Sequence, residues 1–591
     1  MNTSPSKKQS DTTTHKANPT HFDLIIIGGG INGAGIARDS AMRGLKVLLV
    51  DKDDFAYGTS SRSTKLIHGG IRYLENYDFK LVWEACHERK ILTKIAPQLV
   101  HMLGFVIPVY KGDKRPAWLV KLGMLLYDLM AGFQNLKWHK NLSKKGVLKL
   151  IPNLKKEGLK GGGIYYDAQT NDARLVLANI QDAAKHGATV KNYTEVATIK
   201  AHFSIDGKNG KPREERADGV EVVCQDVLTA EKTTYIAPII VNATGPWLDQ
   251  NLKKWHVEEE QDEASQPGKE NQHGSNSPKS FLKSPYSNLR LTKGIHFFIP
   301  KITNEQALLI GAQYDGRVFF VIPWGEYSLV GTTDTDYQKN PDEVKANDGD
   351  RDYLLTELNR LFPEKKLKLS DIVADYAGLR PLLHVEGVKE GAVTREYKLK
   401  TDQIGYNGTL ISVVGGKITT YRRLAQKVTD LVAQKRASKC HTADQKLPGS
   451  NFHEQNFAEF KKHKLAQKSQ LQALDPDIAD NLLNTYGSQI DQFLPYLEEH
   501  FGQHPAKTNK SVPGHRSTDK TESKSQHVPT QLDPASRIIS QSPVIWAQLF
   551  YGIDHEFVRT AEDFIRRRTE LYIHQKKHPE MEEMIGKEMK I

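Results

Sequence analysis

Four short apolar runs punctuate the chain, and each gives way to glycine or a small polar residue. Leu24-Ile25-Ile26-Ile27 is followed at once by Gly28-Gly29-Gly30-Ile31-Asn32-Gly33, and Val47-Leu48-Leu49-Val50 by Asp51. Ile239-Ile240-Val241-Asn242 runs into Ala243-Thr244-Gly245, and Leu410-Ile411-Ser412-Val413-Val414 into Gly415-Gly416-Lys417. Unbroken, β-branched runs of this length predict parallel strands buried on both faces. After the first, residues 34–43 carry Ala34, Ala37 and Ala41 at helical spacing and stop at Gly44, which predicts a helix lying close on a sheet. A second helix is predicted over 117–133, where Lys121 and Asp128 share one face and the rest is apolar. No apolar run reaches the roughly 18 uncharged residues that a membrane span needs. This helix therefore reads as amphipathic and interfacial. Residues 430–591 are rich in Leu, Ala, Lys and Glu and read as helices. Thr560-Ala561-Glu562-Asp563 has the form of a capping box ahead of Phe564-Ile565-Arg566-Arg567-Arg568, whose arginines suit an acidic partner or a subunit contact but read first as a solvated face.

The first glycine run fits GxGxxG between a strand and a helix, with an acid ending the next strand. In that setting Gly28 allows the tight turn, Gly30 lets the backbone approach a pyrophosphate, and Gly33 lets helix meet strand. The helix N-terminus offers free N–H groups to the phosphates, and Asp51 can accept from ribose hydroxyls. The motif alone does not separate FAD from NAD. The strand at 239–242 would return to this sheet after a long insertion, a habit of two-domain flavoproteins. The helix after Gly415-Gly416-Lys417, from Thr419 through Arg422 and Ala425, could point its N-terminus at the flavin and stabilise charge on the reduced ring.

Charge narrows the partners. The 591 residues carry a net +11, and 111–160 alone holds twelve Lys or Arg against Asp113, Asp128 and Glu157, a local +9. Such a cluster suits nucleic acid, an anionic substrate or an anionic lipid surface. Lysines 137, 140, 144, 145 and 149, with Trp118 and Trp138 nearby, make 111–160 a candidate for docking at a membrane. Three polar segments without apolar periodicity, 1–20, 256–285 and 503–535, read as disordered. Three scattered cysteines exclude a disulfide scaffold or a zinc cluster, so no metal is expected. The first twenty residues lack the apolar core of a signal peptide.

Several longer motifs resemble those of FAD-dependent glycerol-3-phosphate dehydrogenases, aerobic and quinone-linked. They are the run from Ile27 to Gly44, Ser60 to Leu74 with its His68-Gly69-Gly70-Ile71-Arg72-Tyr73, Asn171 to Asn179, and Asn242 to Trp247. Gly331-Thr332-Thr333-Asp334, Ala377-Gly378-Leu379-Arg380-Pro381-Leu382 and Gly415 to Ala425 follow in the family's order. The resemblance covers about 22–435 strongly and 536–575 moderately; 256–285 and 503–535 look like insertions, and Asp51 stands where many flavoproteins carry Glu. It implies an α/β fold: an FAD-binding Rossmann-like domain interleaved with an antiparallel-sheet substrate domain, D-amino-acid-oxidase-like, plus a carboxyl-terminal helical domain. The expected pieces are 21–430 for the oxidoreductase domain, with FAD-binding parts at about 21–100, 165–250 and 370–430, and substrate parts at about 101–164 and 286–369. Residues 431–591 form the helical domain.

The implied reaction is oxidation of sn-glycerol 3-phosphate to dihydroxyacetone phosphate, with electrons passed through FAD to a membrane quinone. The short stretch from Leu382 to Thr394 lacks the long insertion of the related oxidases, which make peroxide. A basic flavoprotein that binds RNA is the alternative from another class; its signs are not evident, and no nucleic acid is expected. The implied cofactor residues are Gly28, Gly30, Gly33, Asp51, Ser60, Ser61, Lys65, Leu66, Ala243, Thr244, Gly245, Gly416, Lys417 and Thr419. Arg72, Tyr73, Arg380, Arg395 and Lys417 are implied to hold the substrate. His68 and His296 are the candidates for taking the hydroxyl proton, with Arg380 beside them; either histidine could instead only orient substrate. The expected location is the cytoplasm, peripherally on the inner membrane's cytoplasmic face, and a homodimer is compatible with the sequence.

Overall fold

The computed structural model describes residues 19–203, 217–255, 289–384, 396–405, 407–433, 438–498 and 532–590, apart from the side chains of Arg72, Asn76, Phe133, Phe203, Ala217 and Asp218. The predicted disordered segments lie almost wholly outside these residues. At one edge Thr20, read as part of the tail, pairs in parallel with Tyr235.

A six-stranded sheet carries the nucleotide motif. Its order is Lys398–Ile404, Gly408–Val414, Ile239–Asn242, Leu24–Ile27, Val47–Val50 and Thr189–Lys191. The last five run parallel and the first is antiparallel. All eight side chains of Leu24–Ile27 and Val47–Val50 are buried, which is why these runs have no polar alternation. Burying each such side chain stabilises by about 1.5–3 kcal/mol. Leu24, Ile26, Val47 and Leu49 face the helices Ile31–Met42, Asp172–Lys185 and Tyr421–Ala433. Ile25, Ile27, Leu48 and Val50 face a small four-stranded sheet that includes Thr194–Phe203, Ala217–Asp226 and Lys232–Ala237.

The large sheet has ten strands, with Leu289–Pro300 and Val318–Trp324 near one end and Val100–Tyr110 and Leu159–Thr170 near the other. It is antiparallel except where Ala307–Gly311 meets Val100–Tyr110. The domain boundaries read from sequence are corrected at two places. Ala374–Leu383, placed in the FAD-binding part, pairs along its whole length with Leu289–Pro300, and Leu66–Ile67 pairs with Leu159–Thr170. Strand pairing is long-range, and neither segment announces its partner. The described residues of 440–498 and 532–590 fold into a helical unit with two apolar clusters of its own.

Residues 117–133 do form a helix, Ala117–Ala131, but not with the expected polar face. Asp128 is buried, accepting from the Asn135 amide and from the backbone and ring nitrogens of His139, while Lys121 is exposed. Met124, Tyr127 and Ala131 face inward beside it, so the outward face is the apolar one: Trp118, Leu119, Leu122, Leu125, Leu126 and Leu129.

Candidate active site

The carboxyl ends of the four apolar runs converge, and a cleft opens there, lined by Gly28, Asp51, Ala243 and Gly415 among others. This is the crevice where open α/β sheets bind ligands. The glycines are required by contact. Gly28 has φ +108, and a Cβ on it would stand 2.7 Å from the Ala243 carbonyl oxygen; one on Gly33 would stand 1.9 Å from the Gly28 oxygen. The helix Ile31–Met42 starts at the cleft, and the Ser60 hydroxyl accepts from the Ile31 N–H at 2.9 Å. Asp51 accepts from the backbone N–H groups of Gly29 at 2.6 Å and Asp53 at 3.0 Å. Burial pushes its carboxyl up to about 7, and those two donors act the other way. Gly-rich turn, helix N-terminus and acid together fit a dinucleotide with a pyrophosphate and a ribose. Across the cleft Trp247 faces Tyr57, ring centroids 6.4 Å apart.

The same cleft reaches the large sheet, where Gly294, His296 and Arg380 line it. Arg380 is fixed: its guanidinium donates to Thr332 Oγ1 at 2.8 Å and to Asp334 at 3.1 Å. A Cβ on Gly294 would come within 2.2 Å of that guanidinium, so only glycine leaves room for it. His296 is buried, stacked on Tyr376 at 5.1 Å, with Nε2 2.9 Å from Thr64 Oγ1. Its Nδ1 meets no hydrogen-bond partner among the described residues. Burial, then the positive charges of Arg380 and Lys65, hold His296 well below its usual range, so the ring is neutral. Opposite, His68 stacks on Tyr73 at 6.4 Å, and Lys417 Nζ lies 3.7 Å from the Tyr73 ring centroid. The His68 N–H donates to Thr419 Oγ1 at 3.2 Å.

The structure therefore brings together Gly28, Gly30, Asp51, Ser60, Leu66, Ala243, Thr244, Gly245, Gly416, His68, Tyr73, His296, Arg380 and Lys417 on one cleft. Four expected residues are not on its lining. Gly33 packs against the Gly28 turn. Thr419 supports His68 from below. Lys65 is buried, its ammonium 2.5 Å from Asp172, which also holds the Ser63 hydroxyl; Ser61 is not on the lining. Lys65, expected among the cofactor residues, pairs instead with a carboxylate more than a hundred residues away and is not on the lining. Arg395 and the Arg72 side chain lie outside the described residues. Asp172, Tyr376 and Trp247 carry supporting contacts of the site and were not read as site residues. Thr332 and Asp334 stood in a recognisable motif, yet nothing local says that they grip Arg380.

The pattern of the FAD dependent oxidoreductase family matches residues 23–422, and that of the C-terminal domain of alpha-glycerophosphate oxidase matches 440–590. Glycerol-3-phosphate dehydrogenase of Synechocystis sp. is 37% identical over 560 residues, 93% of this chain and 89% of its own. Aerobic glycerol-3-phosphate dehydrogenase of Staphylococcus aureus is 36% identical over 483 residues, covering 80% of this chain and 79% of its own. The chain belongs to the FAD-dependent glycerol-3-phosphate dehydrogenase family. It is an enzyme, and FAD is its cofactor. The crystal structure of glycerol-3-phosphate dehydrogenase from Bacillus halodurans complexed with FAD superposes with a TM-score of 0.66 at 29% identity, over 96% of this chain and 89% of that one. An L-alpha-glycerophosphate oxidase structure from Mycoplasma pneumoniae shares the fold, with a TM-score of 0.52 at 16% identity over 72% of this chain and 99% of that one.

Proposed function

We propose that this enzyme oxidises sn-glycerol 3-phosphate to dihydroxyacetone phosphate and delivers the electrons to a membrane quinone. The observation that carries the substrate assignment is Arg380, a guanidinium locked by Thr332 and Asp334 beside a neutral histidine on the cofactor cleft. A fixed guanidinium recognises phosphate with two N–H donors at once. Lys417 on the far wall adds a second cation. When bound, FAD supplies a two-electron acceptor for the hydride lost from C2. His296 takes the C2 hydroxyl proton as the ketone forms, and a phosphate dianion beside Arg380 offsets the positive charge that otherwise keeps that ring unprotonated. His68, held by Thr419 and Tyr73, orients the hydroxyls.

For the acceptor, the support is the surface. Tyr77, Phe79 and Trp83 follow the Tyr73 turn within ten residues and are exposed, as is the outer face of the neighbouring helix Ala117–Ala131. Apolar surface of this extent marks a binding face, and the lysines of 137–149 suit an anionic bilayer around it. No described helix is long and apolar enough to cross a membrane, so docking would be peripheral.

The test is anaerobic. Glycerol 3-phosphate added to the yellow holoenzyme bleaches the flavin if the substrate is right; unbleached flavin overturns it. Oxygen uptake without quinone at the full rate would make the enzyme an oxidase. Failure to co-sediment with vesicles of phosphatidylglycerol at low salt would remove the membrane.

A further inference from the structure

No described residue of the carboxyl-terminal domain lines the cleft, yet the domain grips the loop that shapes it. Asp54, three residues beyond Asp51, is fully buried. Its carboxylate lies 2.5 Å from Arg567 Nε and 2.6 and 2.8 Å from the Arg568 terminal nitrogens, and it accepts from the Asn192 amide at 3.0 Å. Both arginines are buried and themselves anchored: Arg567 donates to Asp563 at 2.8 Å and Arg568 to the Glu556 carbonyl at 2.7 Å. They sit on a π-helical turn, Phe564–Arg568, and such turns concentrate at functional positions. This corrects the reading of the arginine run as a solvated face; only Arg566 is exposed, paired with Glu562.

Two contacts carry the grip to the cofactor wall. Phe55 packs edge-on against Phe557 at 5.5 Å, and its ring touches Gly29, where a Cβ would stand 2.4 Å from it. Tyr57, which lines the cleft, has the Arg567 guanidinium 5.6 Å from its ring centroid. Asp54, Phe55 and Tyr57 thus place Gly29 and the aromatic wall opposite Trp247.

We propose that Arg567 and Arg568 are positioning residues for the FAD site, and that the carboxyl-terminal domain serves to retain the cofactor. Coupling of this kind is reciprocal: if the domain tightens FAD, FAD must tighten the domain.

The experiment uses the full chain. FAD release from the holoenzyme, followed by flavin fluorescence, should quicken about tenfold or more in Arg568→Gln and in Asp54→Asn, since each leaves a buried charge unpaired. Arg568→Lys should recover part of the loss. Release at the wild-type rate from a folded Arg568→Gln protein would overturn the proposal. Hydrogen exchange of unaltered protein gives a second reading. Amides of 556–570 should be better protected with FAD bound than in the FAD-stripped chain. A domain that is only structural would show no difference there, and that result would overturn the proposal even if the variants fail to fold.

Discussion

On the proposed reading, Arg380 and His296 divide the chemistry between a fixed cation and a neutral base, and substitution separates the two. Arg380→Ala removes a charged hydrogen-bonding partner of Thr332 and Asp334. It should lower kcat/KM for glycerol 3-phosphate about 10- to 100-fold, mostly through KM. Glycerol itself, lacking the phosphate, should lose much less, and equal losses would undo the assignment. His296→Asn should cost about 100- to 10,000-fold in the rate of flavin bleaching with FAD content unchanged, as for loss of a general base. Asp51 offers a pH test. Its folded carboxyl titrates at about 7, above the ordinary 3.8, so the stability tied to its neutral form is fully present below 3.8 and lost as pH rises through about 7. The FAD-stripped Asp51→Asn protein should therefore lose less Tm between pH 5 and pH 8 than the unaltered one. Thermal scans at both pH values check this, and parallel losses would count against it.

Among elements, the nucleotide half was legible because its strands are buried on both faces, so composition alone marks them. Gly28 and Gly33 were legible for another reason: a tight turn and a close helix–strand approach each demand glycine. Gly33→Ala, with its Cβ 1.9 Å from the Gly28 oxygen, should yield protein without bound FAD; a yellow Gly33→Ala enzyme would contradict the packing. The helix Ala117–Ala131 shows where reading stopped. Its apolar character was plain, but which face meets water depends on Asp128 finding Asn135 and His139, and that is tertiary information. If the outer face docks on lipid, Leu122→Ser with Leu125→Ser and Leu129→Ser should weaken vesicle co-sedimentation several-fold and leave bleaching by substrate unchanged. Unaltered co-sedimentation would point to the lysines alone.

For the whole molecule, the sequence hid how the parts are joined. Arg567 and Arg568 look like surface charge until Asp54, more than five hundred residues earlier, is seen beneath them. The strand Ala374–Leu383 likewise shows its allegiance only through Leu289–Pro300. The grip itself has an acid limit. Against the upward pull of burial, Arg568 and Arg567 hold the Asp54 carboxyl below its ordinary 3.8, so its contribution is present above 3.8 and lost as pH falls below it.

That joint also sets an order in time. The nucleotide sheet needs Leu24–Ile27 and Val47–Val50 early, Ile239–Asn242 later and Gly408–Val414 later still, and its loop is braced by residues 567 and 568. At about 5–20 residues per second, a ribosome takes roughly 25 to 100 s between making the second strand and making that brace. Through this interval the glycine-rich cradle exists as a sequence but not as a site. If residues 567 and 568 retain the cofactor as proposed, flavin is held firmly only once the last-made part of the chain has met the first-made.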